Sequence, residues 1–186
     1  GTGAMAAVLG LDDAAIEGIC ATVSGDGRVV EAVNYNAPGQ VVIAGHREAV
    51  DEAIEALREA GAKRAVALPV SAPFHTSLMA PAAERLDAAL STLELHAPRI
   101  PVVHNVHASL ETEPREIHRA LVRQIAAPVR WTDCIATLTQ HGAGAFVECG
   151  PGKVLGGLLR RIDRSLPCVY LEDPDALTSA IRELAA

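Results

Sequence analysis

At 186 residues the chain is long enough to bury a core, as one domain or as a domain with a small subdomain. Its 49% hydrophobic and 21% charged fractions exclude a disordered chain, and the 3% aromatic fraction makes Ala, Val, Leu and Ile the core formers. A net charge of −7 without a clustered basic arm argues against nucleic-acid binding, because phosphate affinity needs grouped Lys and Arg.

No run of about 18 apolar residues and no charged-then-apolar leader occurs, so neither a membrane span nor a signal peptide is expected and the cytoplasm is the default location. The cysteines, Cys20, Cys134, Cys149 and Cys168, never form a C-x-x-C pair. They read as reduced and mostly buried.

In chain order, Met5-Ala-Ala-Val-Leu-Gly10 is a short apolar run closed by Gly. Asp12 or Asp13 then caps a helix that carries Ile16, Ile19, Cys20 and Val23 at helical spacing. Two extended runs, Val29 to Tyr35 and Gln40 to Ala44, flank Ala37-Pro38-Gly39, whose turn chemistry pairs them antiparallel. From Arg47 to Ala60 the apolar residues Val50, Ile54 and Leu57 share one face; the helix stops at Gly61 and gives way to Ala65–Val70. The order βαββαβ is that of a ferredoxin-like unit over residues 1–70.

From Ser71 the texture changes. Met79–Leu93, Glu116–Ala126, Thr132–Gln140 and Val154–Arg164 read as helices, and Ile100–Asn105, Ala145–Cys149 and Val169–Leu171 as strands. This alternation fits a parallel α/β layer over 71–186 with too few strands for a complete sheet, so part of that sheet is expected from sequence outside the chain.

The stretch Val70-Ser-Ala-Pro-Phe-His-Thr-Ser-Leu-Met79 places His75 at a strand-to-helix corner, where α/β folds put their chemistry. A loop histidine alone does not make a site, and six other histidines compete with it.

Seven collinear segments carry more. Gly3-Ala-Met, Asn34-Tyr-Asn-Ala-Pro-Gly-Gln-Val-Val-Ile-Ala-Gly45, Ala72-Pro-Phe-His75 with Leu78-Met79, Pro101-Val-Val-His-Asn105, Leu121-Val-Arg-Gln124, Pro128-Val-Arg-Trp131 and Glu148-Cys-Gly-Pro-Gly-Lys-Val-Leu155 resemble the malonyl-CoA:acyl-carrier-protein transacylase family in order and spacing. The likeness starts at Gly1 itself, which leads to the expectation of a C-terminal portion.

The resemblance implies an α/β-hydrolase-like large subdomain interrupted by a ferredoxin-like small one, with the active site in the cleft between them. It also implies transfer of a malonyl group from malonyl-CoA, through a seryl ester, to the phosphopantetheine thiol of acyl carrier protein, without a cofactor. His75 matches the catalytic histidine, which takes and returns the serine proton. Gln124 matches the position whose main-chain carbonyl orients that imidazole in place of a triad carboxylate. Asn34, Asn36 and Gln40 match cleft-facing positions whose amides can meet acyl or pantetheine groups, although Asn before Ala-Pro-Gly is also ordinary turn chemistry. Phe74 resembles the bulky residue associated with malonyl over branched acyl units; a core aromatic is its alternative reading.

None of the serines, Ser24, Ser71, Ser77, Ser91, Ser109, Ser165 and Ser179, sits in G-x-S-x-G. The nucleophile, the carboxylate-binding arginine and the oxyanion donors are therefore expected upstream of Gly1, in an N-terminal portion of the same enzyme, and the chain alone should be inactive. Alternatives are an acyltransferase domain fragment of a polyketide synthase and a non-catalytic ferredoxin-like interaction module.

Two further motifs are set aside. Gly150-Pro-Gly-Lys153 lacks the spacing of a phosphate loop and reads as a tight turn with close packing at Gly156 and Gly157. His104-x-x-His107 lacks a third ligand, so no metal is assigned. Lys63, Arg64, Lys153, Arg160, Arg161 and Arg164 are the candidate basic patch for an acidic carrier.

Overall fold

The structure, a computed structural model, describes residues 3–70 and 72–184. Gly1, Thr2 and the terminal Ala185-Ala186 lie outside the described residues, as does Ser71 at the expected subdomain boundary.

Strand β1 (Gly3–Leu9) leads into helix α1 (Asp13–Val23), where Asp12 is the cap and its Oδ1 accepts from Ala15 N–H at 2.7 Å. Strands β2 (Val30–Ala37) and β3 (Gln40–His46) form a hairpin closed by Pro38 and Gly39. Pro38 presets its own φ, and Gly39 takes the φ of +68° that the turn requires. Helix α2 (Arg47–Glu59) buries Ala49, Val50, Ala53, Ile54 and Leu57, and β4 (Arg64–Ala67) follows. The four strands form one sheet in the order β2-β3-β1-β4, antiparallel throughout.

Period-2 alternation gives this sheet two apolar faces. Ala4, Ala6, Val8, Val30, Ala32, Val41, Ile43 and Ala65 form one cluster with Ile16, Cys20 and the buried face of α2. Met5, Val33, Val42 and Ala44 form a second cluster, with Leu68 packed against it. The register of β2 against β3 shifts between Ala32 and Asn34 and again between Tyr35 and Ala37. Val33 lies on the second face by ordinary alternation; the first bulge reverses the phase after it, setting Asn34 opposite Val42 and returning Tyr35 to the first cluster.

A 3-10 turn at Ser77–Met79 opens helix α3 (Ala80–Leu90). Strands β5 (Val103–His104) and β6 (Ser109–Leu110) form a short hairpin, followed by helix α4 (Pro114–Arg123), a 3-10 turn at Gln124–Ala126 and helix α5 (Trp131–Gln140). The strand expected over Ile100–Asn105 shrinks to Val103–His104. Pro98 and Pro101 withhold ladder donors, and Ile100 is 78% exposed.

Contacts group the chain at Cys134/Ile135, so the described residues up to Cys134 form one compact unit and those from Ile135 another. This differs from the division by texture near residue 70, because the segments around Pro73 and Val129 attach to the four-stranded sheet. In the second unit β7 (Phe146–Cys149) and β8 (Cys168–Leu171) pair in parallel across helix α6 (Val154–Ile162). Helix α7 (Pro174–Leu184) closes the described chain. No element was expected there, yet the start signal is present: Asp173 Oδ1 accepts from Ala176 N–H at 2.8 Å and Pro174 takes the first helical position.

The four thiols are free. Cys20 and Cys134 are buried, and burial pushes them up to about 12 and about 11. Cys168 is half-buried and Cys149 exposed, so burial holds for only two of the four.

Candidate active site

The loop between β4 and α3 places His75 in the left-handed region, with φ +64°. A non-glycine residue is uncommon there and must be held by its surroundings. Three contacts surround it. Pro73 lies on Gly3, where a Cβ would come within 2.8 Å of the Pro73 nitrogen and 2.9 Å of its Cγ. Thr76, fully buried, donates its hydroxyl to the Pro73 carbonyl at 2.6 Å. Its own carbonyl accepts from Met79 N–H at 3.0 Å, starting the helical run.

The His75 imidazole meets the Gln124 main chain, with Nδ1 2.8 Å from the carbonyl oxygen. A carbonyl only accepts, so Nδ1 carries the proton, and in the neutral ring Nε2 is left with its lone pair. Gln124 is the C-cap of α4. Its carbonyl is one of those a helix end leaves without an intrahelical partner, which is why a main-chain oxygen is available to the ring. The partial negative charge of that helix end lies where positive charge develops when Nε2 takes a proton.

The Gln124 segment is in turn tied to the sheet. Tyr35 N–H donates to the Val129 carbonyl at 2.9 Å, and Val129 N–H to the Val33 carbonyl at 2.8 Å. The Thr132 hydroxyl adds a bond to the Tyr35 carbonyl at 3.2 Å. The bulged strand β2 thus carries the chain that presents the acceptor.

Of the residues singled out from sequence, His75 and Gln124 are brought into direct hydrogen bond. Asn34 and Asn36 are half-buried on β2, Asn34 opposite Val42 and Asn36 at the second bulge; Gln40, also half-buried, opens β3. Among the described residues neither Asn34 nor Asn36 hydrogen-bonds to His75 or Gln124. Phe74 is 45% exposed in this chain, beside His75.

Sequence reasoning passed over Glu31. Its carboxylate reaches from β2 to Ser77, accepting from Ser77 N–H and Ser77 Oγ–H at 2.9 Å each. The available signal was a lone carboxylate between Val30 and Ala32 in an otherwise apolar strand.

Arg130 is not a free anion binder. Arg130 donates to Asp133 at 2.7 Å, and that bond raises the guanidinium further above its ordinary range. Arg130 and Arg123 line a cavity of about 360 Å³ with Asp13, Glu17, Tyr35 and Asp133. Burial and the 2.5 Å bond that Tyr35 donates to Glu17 push the phenol up.

The Gly150–Lys153 turn holds no empty anion cradle. The Glu148 carboxylate accepts from Leu155 N–H at 3.0 Å and Gly156 N–H at 2.8 Å, while Lys153 pairs with Glu172 at 3.1 Å. The close packing expected at both glycines holds at one. A Cβ at Gly156 would come within 2.8 Å of Tyr170 Cζ, whereas Gly157 has open space. Gly156→Ala is therefore expected to destabilise the chain by about 1–3 kcal/mol in denaturant melts, with Gly157→Ala harmless or mildly stabilising.

His104 is buried, and burial and the neighbouring His107 ring, 5.8 Å away, lower its pKa. His107 itself is bonded through Nδ1 to the Ser109 hydroxyl at 2.8 Å and lies 3.4 Å from Glu111 through Nε2. Among the described residues no group of three or more His, Cys, Asp or Glu side chains could hold a metal ion.

With this geometry in place, comparison with known proteins is decisive. The acyl transferase domain model matches residues 1–166. The chain belongs to the acyl transferase domain family. Within that family it is 49% identical over 181 residues to the malonyl CoA-acyl carrier protein transacylase of Escherichia coli strain K12, covering 97% of this chain and 58% of that protein. The acyl-carrier-protein S-malonyltransferase structure from Burkholderia pseudomallei 1710b is 48% identical with a TM-score of 0.93, covering 98% of this chain and 59% of that one. A malonyl-transacylase solved in complex with its type II PKS acyl-carrier protein is 45% identical with a TM-score of 0.95, covering 98% and 59%. The chain therefore spans somewhat under three-fifths of the length of these relatives.

Proposed function

We propose that this chain is the part of a malonyl-CoA:acyl-carrier-protein transacylase that supplies the general acid/base. The observation that carries the reading is the 2.8 Å bond from His75 Nδ1 to the Gln124 carbonyl, which leaves Nε2 as a base on a member of an acyl transferase family. The serine nucleophile belongs to a further N-terminal portion. The exposure of Ile100 at 78%, Val154 at 70% and Val147 at 42% agrees with apolar surface that such a portion would cover. We assign residues 1–70 to a ferredoxin-like small subdomain, a reading supported by the order β2-β3-β1-β4. Residues 71–186 are then the C-terminal part of an α/β-hydrolase-like large subdomain.

In the reaction, Nε2 of His75 takes the serine proton as the hydroxyl attacks the malonyl thioester carbonyl. The tetrahedral intermediate expels the coenzyme A thiolate, which receives the proton from the imidazolium, and the malonyl group remains as a seryl ester. The phosphopantetheine thiol of acyl carrier protein then loses its proton to the same nitrogen and attacks the ester, and the serine oxygen leaves with that proton. Each step is acyl transfer between oxygen and sulfur and calls for no cofactor. Asn34, Asn36, Gln40 and Phe74 are proposed to line the acyl and pantetheine path. Lys63, Arg64, Lys153, Arg160, Arg161 and Arg164 are proposed to dock the acidic carrier, with Lys153 partly neutralised by Glu172. The cytoplasm is the location proposed for this chemistry. No helix among the described residues is long and apolar enough to cross a membrane.

The test is malonyl transfer from malonyl-CoA to holo-acyl carrier protein with the serine-bearing portion present. Because the acceptor at position 124 is main chain, Gln124→Ala is expected to retain most of the transfer rate. A Gln124→Ala loss as deep as that of His75→Ala would mean that the side chain, not the carbonyl, does the work.

A further inference from the structure

We infer that Glu31 is a positioning residue for His75, acting through Ser77; this rests on the acyl-transfer reading above. A helical run ordinarily satisfies its first N–H groups with a cap side chain from its own preceding residue. Here the residue in that place, Thr76, makes no side-chain cap hydrogen bond, because its hydroxyl is spent on the Pro73 carbonyl inside the buried turn. The capping carboxylate comes instead from a strand 46 residues away. Glu31 accepts from both the N–H and the hydroxyl of Ser77, at 2.9 Å each, so both of its oxygens are engaged by one residue.

The position of that clamp gives it its effect. Ser77 is two residues beyond His75, whose φ of +64° is a conformation the chain does not hold by preference. On the other side Pro73 is seated on Gly3 of β1, so the turn is pinned to the sheet at both ends. Strand β2 also holds the acceptor, through the paired backbone bonds of Val33 and Tyr35 with Val129. One strand therefore sets both the imidazole and the carbonyl it must meet. The carboxylate is additionally favoured by the positive end of the helical run that begins at Ser77, and a charged acceptor gives stronger bonds than a neutral one. Glu31 accepts from Ser77 and not from His75, so it is a positioning residue that acts through the turn and not a catalytic one.

The experiment compares Glu31→Ala, Glu31→Gln, Ser77→Ala and His75→Ala in the active enzyme, with the serine-bearing portion present. The readouts are kcat and KM for malonyl transfer and the nitrogen chemical shifts of the His75 ring. Glu31→Ala is expected to lower kcat tenfold or more with KM for malonyl-CoA changed less than threefold, and to weaken the Nδ1-protonated signature of the ring. Glu31→Gln, whose amide oxygen still accepts from Ser77 N–H, is expected to recover most of that loss. Ser77→Ala, which keeps the N–H bond and sits at an exposed position, should fall between wild type and Glu31→Ala. Wild-type kcat and unchanged ring shifts in Glu31→Ala, with His75→Ala inactive, would overturn the positioning role and leave the acyl-transfer reading standing. Full activity of His75→Ala would overturn that reading itself. If Glu31→Ala does not fold, wild-type kcat and unchanged ring shifts in Ser77→Ala overturn the proposal.

Discussion

His75→Ala is expected to lower malonyl transfer about a hundredfold to ten-thousandfold, the range of a positioned general acid/base, while the protein keeps its fold. Alanine also meets the left-handed backbone at this position, so a second variant separates lost base from added strain. His75→Asn tolerates a positive φ better than Ala and supplies no base near neutral pH. Both variants should be equally inactive, with Asn the more stable in thermal melts. Rates within tenfold of wild type in both would mean that another group takes the serine proton.

The second large effect is on folding. Gly45 lies in β3 opposite Val30 of β2 and Ala4 of β1. A Cβ there would overlap the Val29 carbonyl oxygen and come within 2.7 Å of Val30 Cα and 2.8 Å of the Val29 carbonyl carbon. All three are backbone atoms, so no side-chain rotation relieves them. The same stretch of β2 is held at its end by His46, whose N–H donates to the Val29 carbonyl at 2.8 Å and whose Nδ1 accepts from Val29 N–H at 2.9 Å. Gly45→Ala must push β2 off β3, and it is expected to cost about 4 kcal/mol or more, the range kept for broken core geometry. Equilibrium denaturation measures it; a loss under 1 kcal/mol would mean that β2 moves freely. Because β2 carries Glu31 and the Val129 contacts, any folded Gly45→Ala protein should also transfer malonyl poorly.

The elements of the first seventy residues were legible because their signals are local. The apolar run closed by Gly10, the Asp12 cap, the Pro38-Gly39 turn and the Val50, Ile54, Leu57 stripe each need only a few neighbours to act. The bulge at Val33 was not legible: an extra residue in one strand exists only relative to its partner, and pairing with β3 is what sets Asn34 opposite Val42 and Tyr35 opposite Val41. The strand at Val103–His104 is shorter than its apolar run, because Pro98 and Pro101 withhold ladder donors and its partner β6 pairs with only those two residues. Helix α7 carries a local start signal of its own, the Asp173 cap followed by Pro174, and so needs no distant partner to be read.

At the site, sequence by itself determined that His75 stands at a strand-to-helix corner and, through seven collinear motifs, that the chain resembles an acyl-transfer family. It also determined that no serine of the chain sits in an elbow motif. The resemblance already pointed to the Gln124 main-chain carbonyl as the partner of His75; only the tertiary structure decided which ring nitrogen meets it, because the acceptor is 49 residues away and that geometry leaves no spacing to read. Only the tertiary structure decided that Thr76 faces inward and Glu31 supplies the cap, because a long-range hydrogen bond leaves no spacing in the sequence to read. Local preferences select helices, strands and turns over a few residues; the partners of a left-handed loop are chosen by the packing of the whole unit.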